Sequence, residues 1–519
     1  MNANIKKTAL FVFVIALTIR IFFLLSIKNH PILRIAPKGL DSYHFHKEAI
    51  KISNGNIYLK GQRFHQAPFY SYFLGLIYFL LGTKIISAIS IQIIISSLSA
   101  LLIYMIAYNL SKNSYMAFIS GLIWAFYGPS IFYSILILKT TITVFFILLL
   151  FYITVISFYS KKTYFFIFIS GILSGILYTL RPNFIILGFF VFCFYLIKLN
   201  KNKLKILLFF LLGVVLIPSF FFIRNIKLKY PAFQISSVGK RAIVMGLLPD
   251  DKRIGWDDAP QAETVLRTQL KNKNIFQTLI YVAKENIKNP AKSIALQTRK
   301  ILAFLSWYEY PNNYNYYLLK NKSPILKYSP FSFFFLFFTF FFCITVKNCK
   351  YIFKKYYLLF FIFLFLSIFP FYPFSRFRMP IAAMFSIMSG PALIQIFSLY
   401  KEKRLKDFII YSSIVAIMLI FPSFLEKNTQ TIRYQDYFNF GNFYIEDKKL
   451  PKSIFYYKKA LEINPSFFPA INNLGFIYLH YYNNKQKAIQ LFEKSLKIYP
   501  HQPFLKNVLK QLKNKKLTQ

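Results

Sequence analysis

Residues 85–109 read IISAISIQIIISSLSALLIYMIAYN, a run without a charged side chain. A helix needs about 20 apolar residues to cross the hydrocarbon core of a bilayer, and this run has that length. Read outward from it, the chain offers further apolar segments at 8–26, 115–133, 139–159, 163–180, 183–199, 204–223, 329–346, 356–372, 379–398 and 407–425. Hydrophobic residues make up 56% of the 519 positions and charged residues only 16%. The pattern predicts an all-α polytopic membrane protein with about 11 transmembrane helices, not a string of soluble domains. The piece 68–82 is apolar but short and broken by Pro68 and Gly75, which suits a re-entrant or interfacial helix.

The net charge is +47. The lysines sit mostly in short loops between apolar runs, which argues against nucleic-acid binding. Richness in Lys, Asn, Ile, Phe and Tyr, the residues of A/T-rich codons, accounts for part of the charge. Cys193, Cys343 and Cys349 lie in or beside apolar runs without metal-ligand spacing. Lys6 and Lys7 precede an apolar run that reaches residue 26 without a small-residue cleavage site, so the first helix is read as retained.

The positive-inside rule orients the spans. With the N-terminus in the cytoplasm, Lys112, Lys161-Lys162, Lys198 to Lys205, Lys347 to Lys355 and Lys401 to Lys406 fall inside. The outer face of the cytoplasmic membrane then receives 27–84, Arg181, the long loop 224–328, 373–378 and the C-terminal tail. Asp41, Glu48 and every acidic residue from Asp250 to Glu309 share that side.

The membrane domain is assigned to 1–426 and a second domain to 427–519. There Gly441 and Tyr444 return 34 residues later as Gly475 and Tyr478. Tyr457, Ala460 and Pro465 correspond to Phe492, Ser495 and Pro500, shifted by one residue. This is the tetratricopeptide pattern, with repeats at about 434–467 and 468–502. Two repeats are few for independent stability, so they should pack on the membrane domain or a protein partner.

Asp41 and Glu48 are the only acidic residues in the first 249 positions. Seven apart, they share one face of a helix over 41–53. A carboxylate at the lipid–water boundary can act as a general base toward a hydroxyl or amine, or hold a divalent cation. Lys139 reads as a snorkelling anchor or as a cation for a lipid phosphate. Arg181 and Arg224 each follow a span. In Trp307-Tyr308-Glu309-Tyr310-Pro311-Asn312-Asn313, a carboxylate, amides and rings suit sugar hydroxyls and stacking, or an interfacial aromatic belt. Arg376 and Arg378, in Ser375-Arg376-Phe377-Arg378-Met379-Pro380, suit a phosphate through their planar forks.

In these motifs the chain resembles the GT-C glycosyltransferases of the dolichyl-phosphate-mannose–protein mannosyltransferase and aminoarabinose-transferase type. The matching elements are Asp41 with Tyr43, Ala67-Pro68-Phe69-Tyr70 with Leu81-Gly82, Arg224-Asn225 with Ser236-Ser237-Val238-Gly239, and Ser375 to Pro380. Ala67 stands where many members have proline, no acidic residue accompanies Lys139, and Gly246-Leu247 replaces a Gly-Asn. The resemblance implies a polyprenyl-phosphate sugar donor and Asp41 as the catalytic base. The substrate-binding candidates are Glu48, His65, Tyr70, Lys139, Arg181, Arg224, Glu309, Asn312, Arg376 and Arg378, with no metal ligand set. An oligosaccharide ligase or polymerase of the O-antigen kind, and a non-enzymatic scaffold or lipid-sugar transporter, are the competing readings.

Overall fold

The computed structural model describes residues 3–199, 202–249, 260–345, 355–371, 373–428 and 431–514. Lys347 to Lys354, Cys349 and the acidic residues Asp250, Asp251, Asp257 and Asp258 lie outside these. Among the described residues, seven helices are long and apolar enough to cross a membrane. They are Ala3–Ser26, Ile85–Ser111, Thr140–Ser157, Thr163–Leu180, Lys203–Lys227, Ser375–Lys401 and the apolar part of Leu405–Asn428. Four other expected spans appear as shorter apolar helices: Ser114–Phe126, Pro182–Lys198, Phe333–Thr345 and Tyr356–Ile368.

The differences have local causes. The span expected at 115–133 stops at Phe126, because the extended Tyr127 precedes Gly128-Pro129 and a separate helix, Gly128–Ser134, begins there. Its start is set by Asn113, whose side chain accepts from the amides of Tyr115 and Met116. The span expected at 379–398 begins earlier, at Ser375, so Arg376 and Arg378 lie in the first turn of a helix, not in a connecting loop.

Asp41, in the loop region after the first span, meets Arg376 in the first turn of Ser375–Lys401, which marks one end of the bundle. Two helices lie at that end: Asp41–Ser53, and Phe69–Leu81, which packs against it and leaves Leu76, Phe79 and Leu80 exposed. Within the bundle, Arg20 is fully buried. Its guanidinium donates to the hydroxyls of Ser96 and Ser130 and to the carbonyls of Ala16 and Ala125.

Beyond Thr431 the chain forms two antiparallel pairs, Tyr434–Glu446 with Leu450–Ile463 and Phe468–His480 with Lys485–Ile498, capped by Pro503–Asn514. The repeated glycine has a steric reason. A Cβ on Gly441 would sit 2.3 Å from the Tyr457 ring, and one on Gly475 would sit 2.4 Å from the Phe492 ring.

The first repeat is docked on the Asp41 end. Asp436, buried, accepts from the Asn315 amide at 2.7 Å and from the Arg433 guanidinium at 3.0 Å. Tyr308 Oη and the Asn315 amide both donate to the Thr431 carbonyl, at 2.8 and 2.9 Å. Arg34 pairs with Asp447 at 2.8 Å, and Glu446 accepts from the Lys38 amide at 2.9 Å. Phe440 and Tyr444 close over Leu318. Replacing Asp436 with Ala removes the acceptor from a buried amide and a guanidinium. It should cost about 1.5–3 kcal/mol, read as a lower thermal unfolding midpoint in detergent and faster proteolytic release of the repeats.

Candidate functional site

Asp41 opens its helix, where the N-terminal backbone amides favour a negative side chain. Three groups hold its carboxylate. Oδ1 accepts from Gln66 Nε2 at 2.7 Å, and Oδ2 accepts from Asn313 Nδ2 at 2.8 Å and from the Arg376 guanidinium at 2.6 Å. Asn313 returns the contact, its side-chain oxygen accepting from the Asp41 amide at 3.3 Å. To do this Asn313 adopts φ +67°, a left-handed conformation that asparagine tolerates better than most residues. The neighbouring Tyr314 donates to the Ser42 hydroxyl at 2.6 Å, pinning the helix start to the same loop.

Gln66 joins a second cation to the group. Its Oε1 accepts from Lys139 Nζ at 3.0 Å while its Nε2 serves Asp41. Arg181 is the third cation. Its guanidinium lies 4.3 Å from the centre of the Phe377 ring, and Arg376 lies over the same ring at 5.0 Å. Asp41, Lys139, Arg181 and Arg376 all act on one another electrostatically. The Nε atoms of Arg181 and Arg376 are buried without a hydrogen-bond partner. Burial pushes the Asp41 carboxyl up, but the charge and hydrogen bond of Arg376, the Asn313 amide and the charge of Lys139 outweigh it and hold it below the usual carboxylate range.

A small cavity of about 10 Å³, room for roughly one water, is lined in part by Ser96, Trp124, Ser130, Tyr133, Thr140 and Met379. Trp124 Nε1 and Thr140 Oγ1 are buried there without a hydrogen-bond partner.

Of the remaining candidates, His65 is within electrostatic reach of Asp41 and Lys139, and the others hold contacts of their own. Glu48 accepts from Ser71 Oγ at 2.6 Å, against the neighbouring helix, and burial pushes its carboxyl above the usual range. Tyr70 is fully buried, its hydroxyl donating to Gln92 at 2.7 Å, so it packs instead of facing a substrate. His65 lies against His44, the rings tilted with centres 5.0 Å apart, and its carbonyl accepts from Ser236 and Ser237.

Arg224, expected at a phosphate, donates to the carbonyls of Tyr58, Leu59 and Gln62 and to the Asn225 side chain, bracing the Tyr58–Gln62 loop. Arg378 is fully buried. It pairs with Glu309 at 2.9 Å and donates to the carbonyls of Phe304, Ser306 and Tyr308. Glu309 also accepts from Ser375 Oγ, so this carboxylate locks the Tyr308 loop to the Ser375 helix and does not reach toward a sugar. Asn313, not Asn312, is the amide at Asp41.

Among the described residues, no group of three or more His, Cys, Asp or Glu side chains is placed to hold a metal ion. The donor set at Asp41 also does not suit a divalent cation. Its oxygens face two amides and a guanidinium, and Glu48 turns away to Ser71.

A family model described as a tetratricopeptide repeat matches residues 437–467. That match covers the first of the two C-terminal helical pairs, a tetratricopeptide repeat. No curated protein matches the sequence. Among solved structures, the chain is similar to the archaeal oligosaccharyltransferase AglB from Archaeoglobus fulgidus in complex with an inhibitory peptide and a dolichol-phosphate. That match has 15% identity and a TM-score of 0.44, covering 86% of this chain and 60% of that one. The apo form of the Archaeoglobus fulgidus oligosaccharyltransferase matches at 14% identity and TM-score 0.46, over 95% of this chain and 60% of that one. Its complex with Zn and sulfate matches at 14% and 0.45, over 95% and 58%. The chain therefore spans about three fifths of the length of these proteins.

The Asp41 network carries a pH signature. A depressed carboxyl contributes stability in full above the ordinary Asp range and loses it as pH falls through the folded pKa. Replacing Arg376 with Gln removes the strongest opposing charge and leaves burial to raise Asp41. The acid limb of the unfolding midpoint, followed between about pH 3 and 7, should move to higher pH. Asn313→Ala should move it in the same direction by less.

Proposed function

We propose that this chain is a membrane glycosyltransferase of the GT-C type. It transfers a sugar from a polyprenyl-phosphate donor to an acceptor at the outer face of the cytoplasmic membrane, with inversion at the anomeric carbon. The observation that carries the reading is the single carboxylate Asp41 held beside Lys139, Arg181 and Arg376 at one end of the bundle. A sugar phosphate ester needs cations to neutralise the leaving phosphate and one base to take the acceptor proton, and this cluster offers both.

In this mechanism the donor phosphate binds the unpartnered Nε edges of Arg376 and Arg181 and the ammonium of Lys139. Arg376 is then shared between phosphate and Asp41. The charge that depresses Asp41 is partly withdrawn, so its carboxylate becomes a stronger base as the donor arrives. Asp41 takes a proton from the acceptor hydroxyl or amine. The freed lone pair attacks the anomeric carbon from the face opposite the phosphate. The bond from that carbon to the phosphate oxygen breaks, and polyprenyl phosphate leaves with the electron pair, neutralised by the three cations.

Outer-face placement rests on the positive-inside rule: Lys112, Lys161-Lys162, Lys203 and Lys401 to Lys406 sit at the opposite end of the spans from Asp41. The repeats dock at the Asp41 end, which puts them beside the path of an incoming acceptor.

Asp41→Asn keeps the shape and one of the two acceptor oxygens, turns the other position into an NH2 donor, and loses the base. Transfer from a synthetic polyprenyl-phosphate sugar should fall by about 10²–10⁴-fold with donor binding retained. Full activity in this variant would remove Asp41 as the base. Arg376→Lys keeps a charge but loses the planar fork, and should raise the donor KM more than it lowers kcat.

A further inference from the structure

Two helices of the long outer loop, Ile275–Lys288 and Pro290–Leu305, form a hairpin turned at Asn289-Pro290. The first is fixed at its start by a capping box between Asn274 and Gln277. One face of the hairpin is spoken for. Thr278, Val282, Leu296 and Ala303 are buried. Lys300 Nζ donates to the carbonyls of Gly246 and Pro370 at 2.8 and 2.6 Å, and Phe304 meets Phe333, Phe365 and Phe369 edge-on.

The other face is apolar and exposed. Phe276 is 71% exposed and Ile287 79%, with Ile280 between them on the same stripe; Ile294, Ile301 and Leu302 continue it on the second helix. Such spacing makes each helix amphipathic. Exposed lysines border the stripe, among them Lys271, Lys273 and Lys284. Glu285 is the only carboxylate between Glu263 and Glu309, and Lys288 pairs with it at 3.2 Å.

We propose that this hairpin lies in the headgroup region of the outer leaflet, its apolar stripe about 5–10 Å into the headgroup–acyl boundary and its lysines on anionic lipid phosphates. Two observations choose a lipid surface over a protein. The hairpin joins the bundle through its buried face, where Phe304 meets Phe333 and Phe365 of two apolar helices, so the stripe is exposed next to apolar helices of the membrane domain. Its border is basic and nearly free of carboxylates, the complement of anionic headgroups. The hairpin also packs on the Gly239–Leu247 helix, whose Ile243, Val244 and Met245 cluster with Phe374 at the start of the Arg376 helix. Lipid contact at the stripe thereby fixes the depth of the Asp41 end relative to the leaflet, whatever reaction occurs there.

The test uses the full chain in nanodiscs, with Cys193, Cys343 and Cys349 replaced by Ser. Single cysteines are introduced by Phe276→Cys, Ile287→Cys or Lys284→Cys and labelled with an environment-sensitive fluorophore. In phosphatidylglycerol discs, labels at 276 and 287 should emit to the blue and be quenched by lipids carrying a nitroxide near the headgroup, while the label at 284 stays water-like. Exchanging phosphatidylglycerol for phosphatidylcholine should weaken the quenching. Water-like emission at 276 and 287 in every disc overturns the proposal. So does blue-shifted emission without lipid quenching, which would mean a protein surface or a second copy covers the stripe. Quenching unchanged in phosphatidylcholine removes the anionic component.

Discussion

The ion pair between Asp41 and Arg376 ties residues 335 positions apart, the first loop and the start of a late membrane helix. A carboxylate and a guanidinium taken out of water cost several kcal/mol each unless their remaining valences are met. Asp41 meets them with two amides. Gln66 is chemically apt because it presents both polarities at once, a donor to the carboxylate and an acceptor to Lys139. A glutamate there would set a second negative charge against Asp41, and a lysine would add another buried cation. Lys139 and Arg181 leave this end of the bundle with more positive than negative charge.

The same pair explains where the repeats sit. Asn313 can serve Asp41 only while its loop holds a left-handed turn. That loop is clamped from both sides: Arg378 and Glu309 fasten its start to the membrane helix, and Asp436, Thr431 and Asn439 fasten its far side to the first repeat. Two repeats alone bury little. Here the membrane domain supplies the missing neighbour, and the repeats in return stiffen the loop that touches Asp41. The tetratricopeptide unit is therefore part of the support of the loop that meets Asp41.

Helical class, the apolar segments and the repeat period were legible because each is a property of spacing. The glycine-to-ring contacts at Tyr457 and Phe492 show the physical origin of the period. Asp41, Lys139, Arg181 and Arg376 were legible because charge is scarce near apolar runs and costly there. Gln66 and Asn313 were not, since a neutral amide beside an apolar run carries no cost that marks it. The break at Gly128-Pro129 had a local signal in its dipeptide, but hydropathy summed across it hid the stop. Arg20 had the strongest unused signal, a charge inside the first apolar run.

The arginines show where sequence reasoning ends. Arg224, Arg376 and Arg378 all follow or open apolar segments and look alike in one dimension. In three dimensions they differ in how many donors are already committed. Arg224 gives its fork to three loop carbonyls and Asn225, and Arg378 gives its fork to Glu309 and three carbonyls. To bind a phosphate, either would have to leave buried carbonyls unpaired, at about 1–3 kcal/mol for each lost partner. Arg376 meets a carboxylate through one nitrogen and gives no bond to a backbone carbonyl; its Nε, like that of Arg378, is buried without a partner. A phosphate arriving there adds partners without stripping the backbone of any. An anion at Arg376 would therefore leave the backbone bonds intact, whereas Arg224 and Arg378 are bound into the walls.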